Sequence, residues 1–169
     1  MNELIAKIEQ WANDRNIIKG SKPIDQALKL FSEFGELADN VGKGRDCRDD
    51  IGDVFVVLTI ICKQNGDTLK NHIDKTFYSS YKCEKTAVSF LAKALFVVEN
   101  NYNETVVVSV LDDLRFISKH FGYTLEECVQ IAYDDIKDRK GIMSNGVFIK
   151  ESDPAYESII KAIEVNCGE

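Results

Sequence analysis

A chain of 169 residues with 44% hydrophobic and 29% charged residues suits one domain with a real core and excludes a disordered chain. Lys and Arg number 21 against 28 Asp and Glu, a formal net charge of −7. That argues against a general surface for nucleic-acid polymers, while a small phosphate ligand reached through a cation stays compatible.

Leu4, Ile8, Trp11 and Ala12 recur at helical spacing and predict a first helix ending near Arg15-Asn16. The start, Met1 to Ile8, has no basic region and no long apolar core, so no targeting segment is expected. A loop with Gly20, Ser21 and Pro23 follows, and Pro suits the first turn of the next helix. Ile24, Ala27, Leu28, Phe31, Phe34, Leu37, Ala38 and Val41 mark that second, long helix, which carries Glu33 and Glu36. The Gly-rich stretch Asn40-Val41-Gly42-Lys43-Gly44-Arg45 predicts its end and a short return loop. A third helix runs from about Asp49 to Gln64 and stops at Asn65-Gly66. Its run from Val54 to Cys62 is β-branched enough for a buried strand, but its continuity with Asp50 favours a helix. Val106 to Leu111 poses the same choice. No apolar run approaches the roughly 20 residues of a membrane span, so a soluble protein without a membrane partner is expected.

Residues 58–69 align without gaps on residues 114–125, an offset of 56 with six identities in twelve. The match is either an internal duplication or the shared chemistry of a helix, a Gly stop and a Thr cap. The same offset puts Ser89, Ala92, Val106 and Ser109 where Glu33, Glu36, Asp50 and Asp53 stand, so a second copy would be acid-free. The last long helix is predicted from Thr124 to about Arg139. Asn145-Gly146 then marks a two-residue β-hairpin, and Asp153-Pro154 the N-cap and first position of a final helix. Five cysteines (Cys47, Cys62, Cys83, Cys128 and Cys167) form no CxxC pair and read as reduced thiols of a cytoplasmic protein.

Glu33 and Glu36 form one pair at i and i+3, Asp50 and Asp53 another, on helices that the loop turns antiparallel. Four carboxylates can then converge from two facing helices. They border apolar residues, with Val54 onward after Asp53 and Phe31, Phe34, Leu37 and Ala38 around the Glu pair. Carboxylates beside a core are costly unless paired or metal-bound, and a cluster of them suits a hard cation, Mg²⁺ or Mn²⁺. One such pair is common on a solvated helix face; the second pair and the apolar border single these out. His72 and His120 form no ExxH pair, which argues against a di-iron bundle.

These motifs resemble the MazG-like, all-α nucleoside triphosphate pyrophosphohydrolases, whose signature is ExxE followed by ExxD on two antiparallel helices. Glu33xxGlu36 and Asp50xxAsp53 occupy those places. The likeness extends to Trp11, Asp14-Arg15-Asn16, Gly20-Ser21, Gln26 and Lys29-Leu30. It resumes at Ala132-Tyr133, at Ile136-Lys137-Asp138-Arg139-Lys140-Gly141 and at Gly146 through Glu151. In style it is closest to small phage and prophage members, which have no counterpart of residues 70–121. Three positions depart: Ser32 where a second Glu is usual, Asp50 for Glu, and Asp134-Asp135 for Asn-Lys.

The resemblance implies one all-α domain over residues 1–169, an antiparallel helical bundle with a short β-hairpin near the C-terminus. It implies Mg²⁺-dependent hydrolysis of nucleoside triphosphates, deoxynucleotides foremost, to monophosphate and pyrophosphate. Glu33, Glu36, Asp50 and Asp53 are its implied metal-binding, catalytic residues. Gln26, Lys43, Lys137, Arg139, Lys140 and Trp11 are candidates to meet substrate, with Arg45 or Arg48 beside the loop. Taken alone, each cation suits a solvated charge better, and Trp11 a core residue. The alternative is a catalytically weak homologue that binds nucleotide or a partner protein, kept alive by Ser32, Asp50 and Asp134-Asp135; a helical scaffold with an acidic face is a third. Family members pair two-helix units between subunits, which implies a homodimer unless residues 70–121 supply the second unit from within the chain. In that arrangement helices near 87–100 and 104–120 pack on the acidic pair, with Phe90, Leu91, Leu95, Val98, Val107, Leu111, Leu114 and Ile117 as core.

Overall fold

The computed structural model describes residues 1–77, 80–98 and 101–167, with side chains through residue 163. Helix α1 (Asn2–Asp14) buries Leu4, Ile5, Ile8 and Ala12, the stripe that its sequence period lays on one face. Asn16, at φ 54°, turns the chain into a one-turn helix α2 (Ile17–Gly20), too short to leave a periodic signal. Helix α3 (Pro23–Lys43) opens with Pro, and the Asp25 side chain accepts the Lys22 amide at 2.7 Å. Helix α4 (Arg48–Gln64), a 3₁₀ turn (Leu69–Asn71), α5 (Glu84–Val98), α6 (Glu104–His120) and α7 (Leu125–Ile136) follow. Strands β1 (Gly141–Ser144) and β2 (Val147–Lys150) pair antiparallel with Ser144 opposite Val147, and α8 (Tyr156–Cys167) comes last.

The centre of the fold is α4. Every residue from Val54 to Cys62 is buried, because α3 and α7 flank the helix and α1 and α6 close round it. A helix covered on all sides needs no polar stripe, which is why its sequence also suits a strand. Its closest neighbour is α7, and Gly52 makes that approach possible: a Cβ there would run into the Cys128 carbonyl and come within 2.6 Å of the Ala132 methyl. Helix α5 packs on α6 and α3, and α6 reaches α4 and α7. Arg48 and Glu104 open α4 and α6, and Gln64 and His120 close them, 56 positions apart in each case.

Asn145 (φ 50°) and Gly146 (φ 79°) both take the left-handed conformation that a two-residue hairpin turn requires. The hairpin is fastened to the α1–α2 junction. The Met143 amide donates to the Arg15 carbonyl and the Gly146 amide to the Gly20 carbonyl, each at 2.8 Å. Arg15 in turn donates to the carbonyls of Lys137 and Arg139. Those carbonyls are drawn toward α1, so α7 ends at Ile136 rather than near Arg139.

Other local expectations change as well. Helix α3 does not end at Asn40. It runs through Gly42, at a propensity cost of about 1 kcal/mol, because Val41 is buried and anchors the last turn. It stops at Gly44 (φ 62°), leaving a shorter return loop. Helix α8 opens at Tyr156 rather than Pro154, since the Asp153 side chain and carbonyl first take the Ala155 and Tyr156 amides in a turn. Phe90, expected in the core, is 48% exposed: it stands one position off the buried row Ala87, Leu91, Leu95 and Val98, against the Tyr81 ring. Phe31, expected to border the core with Ile24 and Leu28 on its helix, lies with them on the solvent side; α3 buries Ala27, Leu30, Glu33, Leu37 and Val41 instead. Asn100, the expected end of α5, and the Cys167 side chain lie outside the described residues, among which Cys47, Cys62, Cys83 and Cys128 are free thiols. Among those residues no helix is long and apolar enough to cross a membrane.

Candidate functional site

The buried face of α3 carries Glu33 to the α3–α4 interface, where it is 5% exposed. Asp50, in the first turn of α4, is 9% exposed. Asp53, one turn further, is half-buried, and Glu36 is exposed. Lys29, one turn before Glu33, makes an ion pair with its carboxylate. Asn40 Nδ2 donates to Asp50 Oδ2 at 2.8 Å.

These acids act on one another. Burial, then the charges of Glu33 and Asp49, push the Asp53 carboxyl up to about 7, against the pull of Lys29 and Arg139. Burial also raises Asp50, where the Asn40 hydrogen bond opposes the charges of Asp49, Glu36 and Glu33. Asp49 is raised as well, by burial first and then by Asp135 and Glu33, with Arg139 opposing. Glu33, Glu36, Asp49, Asp50 and Asp53 therefore share one electrostatic field. Asp49 joins the four acids read from spacing, and its adjacency to Asp50 was the only signal for it. Among the described residues, no three His, Cys, Asp or Glu side chains stand in metal-ligand geometry.

Two adjoining grooves open beside the acids. One, of about 340 Å³, is lined by Asn40, Asp46, Arg48, Asp49, Asp50 and Ile131. The other, of about 610 Å³, continues from Arg48 and Ile131 along Tyr123, Thr124, Glu126, Glu127 and Gln130. Because Arg48 and Ile131 line both, they form one trough from the acidic start of α4 to the head of α7. The Arg48 guanidinium lies over the Tyr123 ring, 4.8 Å from its centroid, while its Nε donates to Asp46 Oδ1 at 3.0 Å. Tyr123 and Ile131 have no local sequence relation to the acids, and only the packing of α7 on α4 brings them there.

The remaining candidates divide. Arg139 acts on both Asp49 and Asp53 and pairs with Asp135. Lys137 pairs with Asp134 at 2.6 Å, and Lys140 lies 3.4 Å from Glu151. Asp134-Asp135 thus hold two of the cations of the tail. Lys43 pairs with Asp39 at 2.6 Å. Gln26 is 5% exposed and donates to Ser21 Oγ at 2.9 Å, a hydroxyl that also accepts from Gln64 at 3.1 Å. The Trp11 indole donates to the Ile136 carbonyl at 2.8 Å, with Arg15 over its ring. The polar groups of Trp11, Gln26 and Lys43 are thus engaged in the scaffold, and none of the three lines the trough.

No family profile matches the chain, and no solved structure matches it. Over 76 residues it is 47% identical to an uncharacterized 18.2 kDa protein from the rep-hol intergenic region of Haemophilus phage HP1. The matched stretch is 44% of this chain and 43% of the phage protein, so the chain spans less than half the length of that relative.

Proposed function

We propose that the chain is a MazG-like, Mg²⁺-dependent nucleoside triphosphate pyrophosphohydrolase of the cytoplasm. The observation that supports this most is the trough, which joins Asp49 and Asp50, at the edge of the acid cluster, to an aromatic ring. A nucleoside triphosphate has those two needs, cations at one end and a flat apolar surface at the other. Likeness to a phage protein agrees with the phage style of the motifs.

The donor set fits a hard cation. All its donors are carboxylate oxygens, and burial, then the charges of Glu33 and Asp49, push the Asp53 carboxyl up to about 7. Glu33, Glu36, Asp50 and Asp53 would hold the ion, with Asp49 beside them. When bound, Mg²⁺ supplies charge neutralisation for the phosphates and a more acidic water. The chain's own residues position the rest. Asn40 fixes the Asp50 carboxylate, Lys29 steadies Glu33, and Arg48 stands where a phosphate chain passes between acids and Tyr123. Tyr123 and Ile131 receive the base by stacking and apolar contact. The same reading takes residues 70–121 as a degenerate second unit, supported by the matched bounds of α4 and α6 and the packing of α5 on α3.

One observation favours a second reading, a catalytically weak homologue that binds nucleotide or a partner: Asp134 and Asp135 neutralise Lys137 and Arg139. A panel of ribo- and deoxynucleoside triphosphates assayed for pyrophosphate release with Mg²⁺ separates the two. Pyrophosphate and monophosphate in equal amounts are expected. Nucleotide binding without release would move the assignment to the second reading.

A further inference from the structure

Helix α3 carries on its solvent side a row that the fold leaves uncovered in whole or in part: Ile24, Leu28, Phe31, Gly35, Ala38 and Gly42. Its steps alternate between four and three residues, the heptad spacing of a helix seam that receives another helix. Ile24 is 48%, Leu28 64% and Phe31 41% exposed. Around a Cβ built at Gly35 or Gly42 nothing lies within 4 Å. Phe96 on α5, 73% exposed, widens the patch, its ring 6.4 Å from that of Phe31. Large apolar side chains left open on one face mark a contact surface.

The order of sizes identifies the occupant. Large residues fill the first half of the row and small ones the second. Ile24 and Gly42, Leu28 and Ala38, and Phe31 and Gly35 are each symmetric about position 33. A two-fold axis there lays an identical helix antiparallel, each large side chain over a small residue. We propose that this face joins two copies of the chain, α3 against α3. Leu28 then seats on the partner subunit's Ala38, and Phe31 on the partner subunit's Gly35.

Rim charges and area agree. Asp25 comes within two residues of level with the partner subunit's Lys43, an opposite charge. The row spans about 27 Å of helix, and with Phe96 and the rim it covers about 500 Å² per copy. That total of about 1,000 Å² is at the lower edge of specific interfaces, which suits a reversible dimer. The contact leaves the trough open, since Asn40, the α3 residue that lines it, lies across the helix from the seam. The association is additional to the pairing of units within the chain, and it stands whether or not the chain is a pyrophosphohydrolase.

Sedimentation velocity of the full chain over about 5–200 µM tests it. A 19.1 kDa monomer is expected to pass into a dimer across that range. Leu28→Glu is expected to stay monomeric throughout with an unchanged circular dichroism spectrum. Gly35→Ala, which has open space around it and favours the helix, should weaken the dimer about tenfold by crowding the Phe31 seat while leaving the thermal midpoint unchanged or higher. A wild-type chain that stays monomeric overturns the proposal. So does a dimer that survives Leu28→Glu, or one that Gly35→Ala does not weaken. None of these readouts involves catalysis.

Discussion

At the residue scale the acids of the α3–α4 pair differ in how they are held. Lys29 steadies Glu33 and Asn40 holds Asp50, while Asp53 answers to burial and to the fields of Glu33 and Asp49. Asp53→Asn and Glu36→Gln should each lower pyrophosphate release about a hundredfold or more at saturating Mg²⁺, with the helical spectrum intact. Near-normal turnover in either variant would remove the site from these residues. Asp50→Glu restores the longer carboxylate of the ExxD pattern, so it should keep far more activity than Asp50→Asn in the same assay. Away from the trough, Asp113 on α6 is 1% exposed; burial lifts its carboxyl to about 6, with Asp112 adding and the Tyr81 hydroxyl opposing. In the unfolded chain the same acid titrates near its ordinary value of about 3.9. The unfolded state therefore loses its proton first, so stability falls as pH rises from about 4 to about 6 and is level above that. The loss is about 3 kcal/mol, and Asp113→Asn should remove it in urea melts compared at pH 4 and pH 7. The acid pairs were legible in the sequence because i and i+3 spacing is a local property. Tyr123, Ile131 and the burial of Asp113 were not, because each arises from packing between distant helices.

At the element scale the α4–α7 contact governs the site. Gly52 stands between Asp50 and Asp53, and the Cys128 carbonyl occupies the space that any side chain there would need. Gly52→Ala should cost about 3 kcal/mol in chemical denaturation, since backbone rather than a flexible side chain must give way. It should also reduce activity by displacing Ile131 and Tyr123 from the acids. If Gly52→Ala were neutral in both assays, the close approach of α7 would not define the trough. Helix α4 could be read from the length of its run even though its composition also suited a strand. The reverse held for Ile24, Leu28 and Phe31: their period correctly marked a helix, but not which side of it meets the core. Periodicity gives the spacing of a face, and only the neighbours decide which face is buried. The hairpin was legible at Asn145-Gly146 because a turn of two left-handed residues is written in the turn itself. Its seat on Arg15 and Gly20 was not.

At the scale of the whole molecule, an ion that binds the folded chain and not the unfolded one must raise its melting temperature. Mg²⁺ or Mn²⁺ at a hundred times its dissociation constant adds about 2.7 kcal/mol, which for a domain of this size is a rise of about 5–10 °C. The wild type should show that rise and Asp53→Asn should not; equal curves with and without the ion would favour a scaffold with an acidic face. The fastening of both ends of the fold to one another carries a different consequence, for the order in which the protein comes into being. Synthesis delivers α3 and α4 early, yet α7 closes over Gly52 late, and Arg15 waits for the carbonyls of Lys137 and Arg139. Until then a ribosome-bound chain presents the apolar side of α4 that α7 will cover and holds no trough. A message cut short before Tyr123 yields a product that carries the acids of α3 and α4 but neither Tyr123 nor Ile131, so it has no trough.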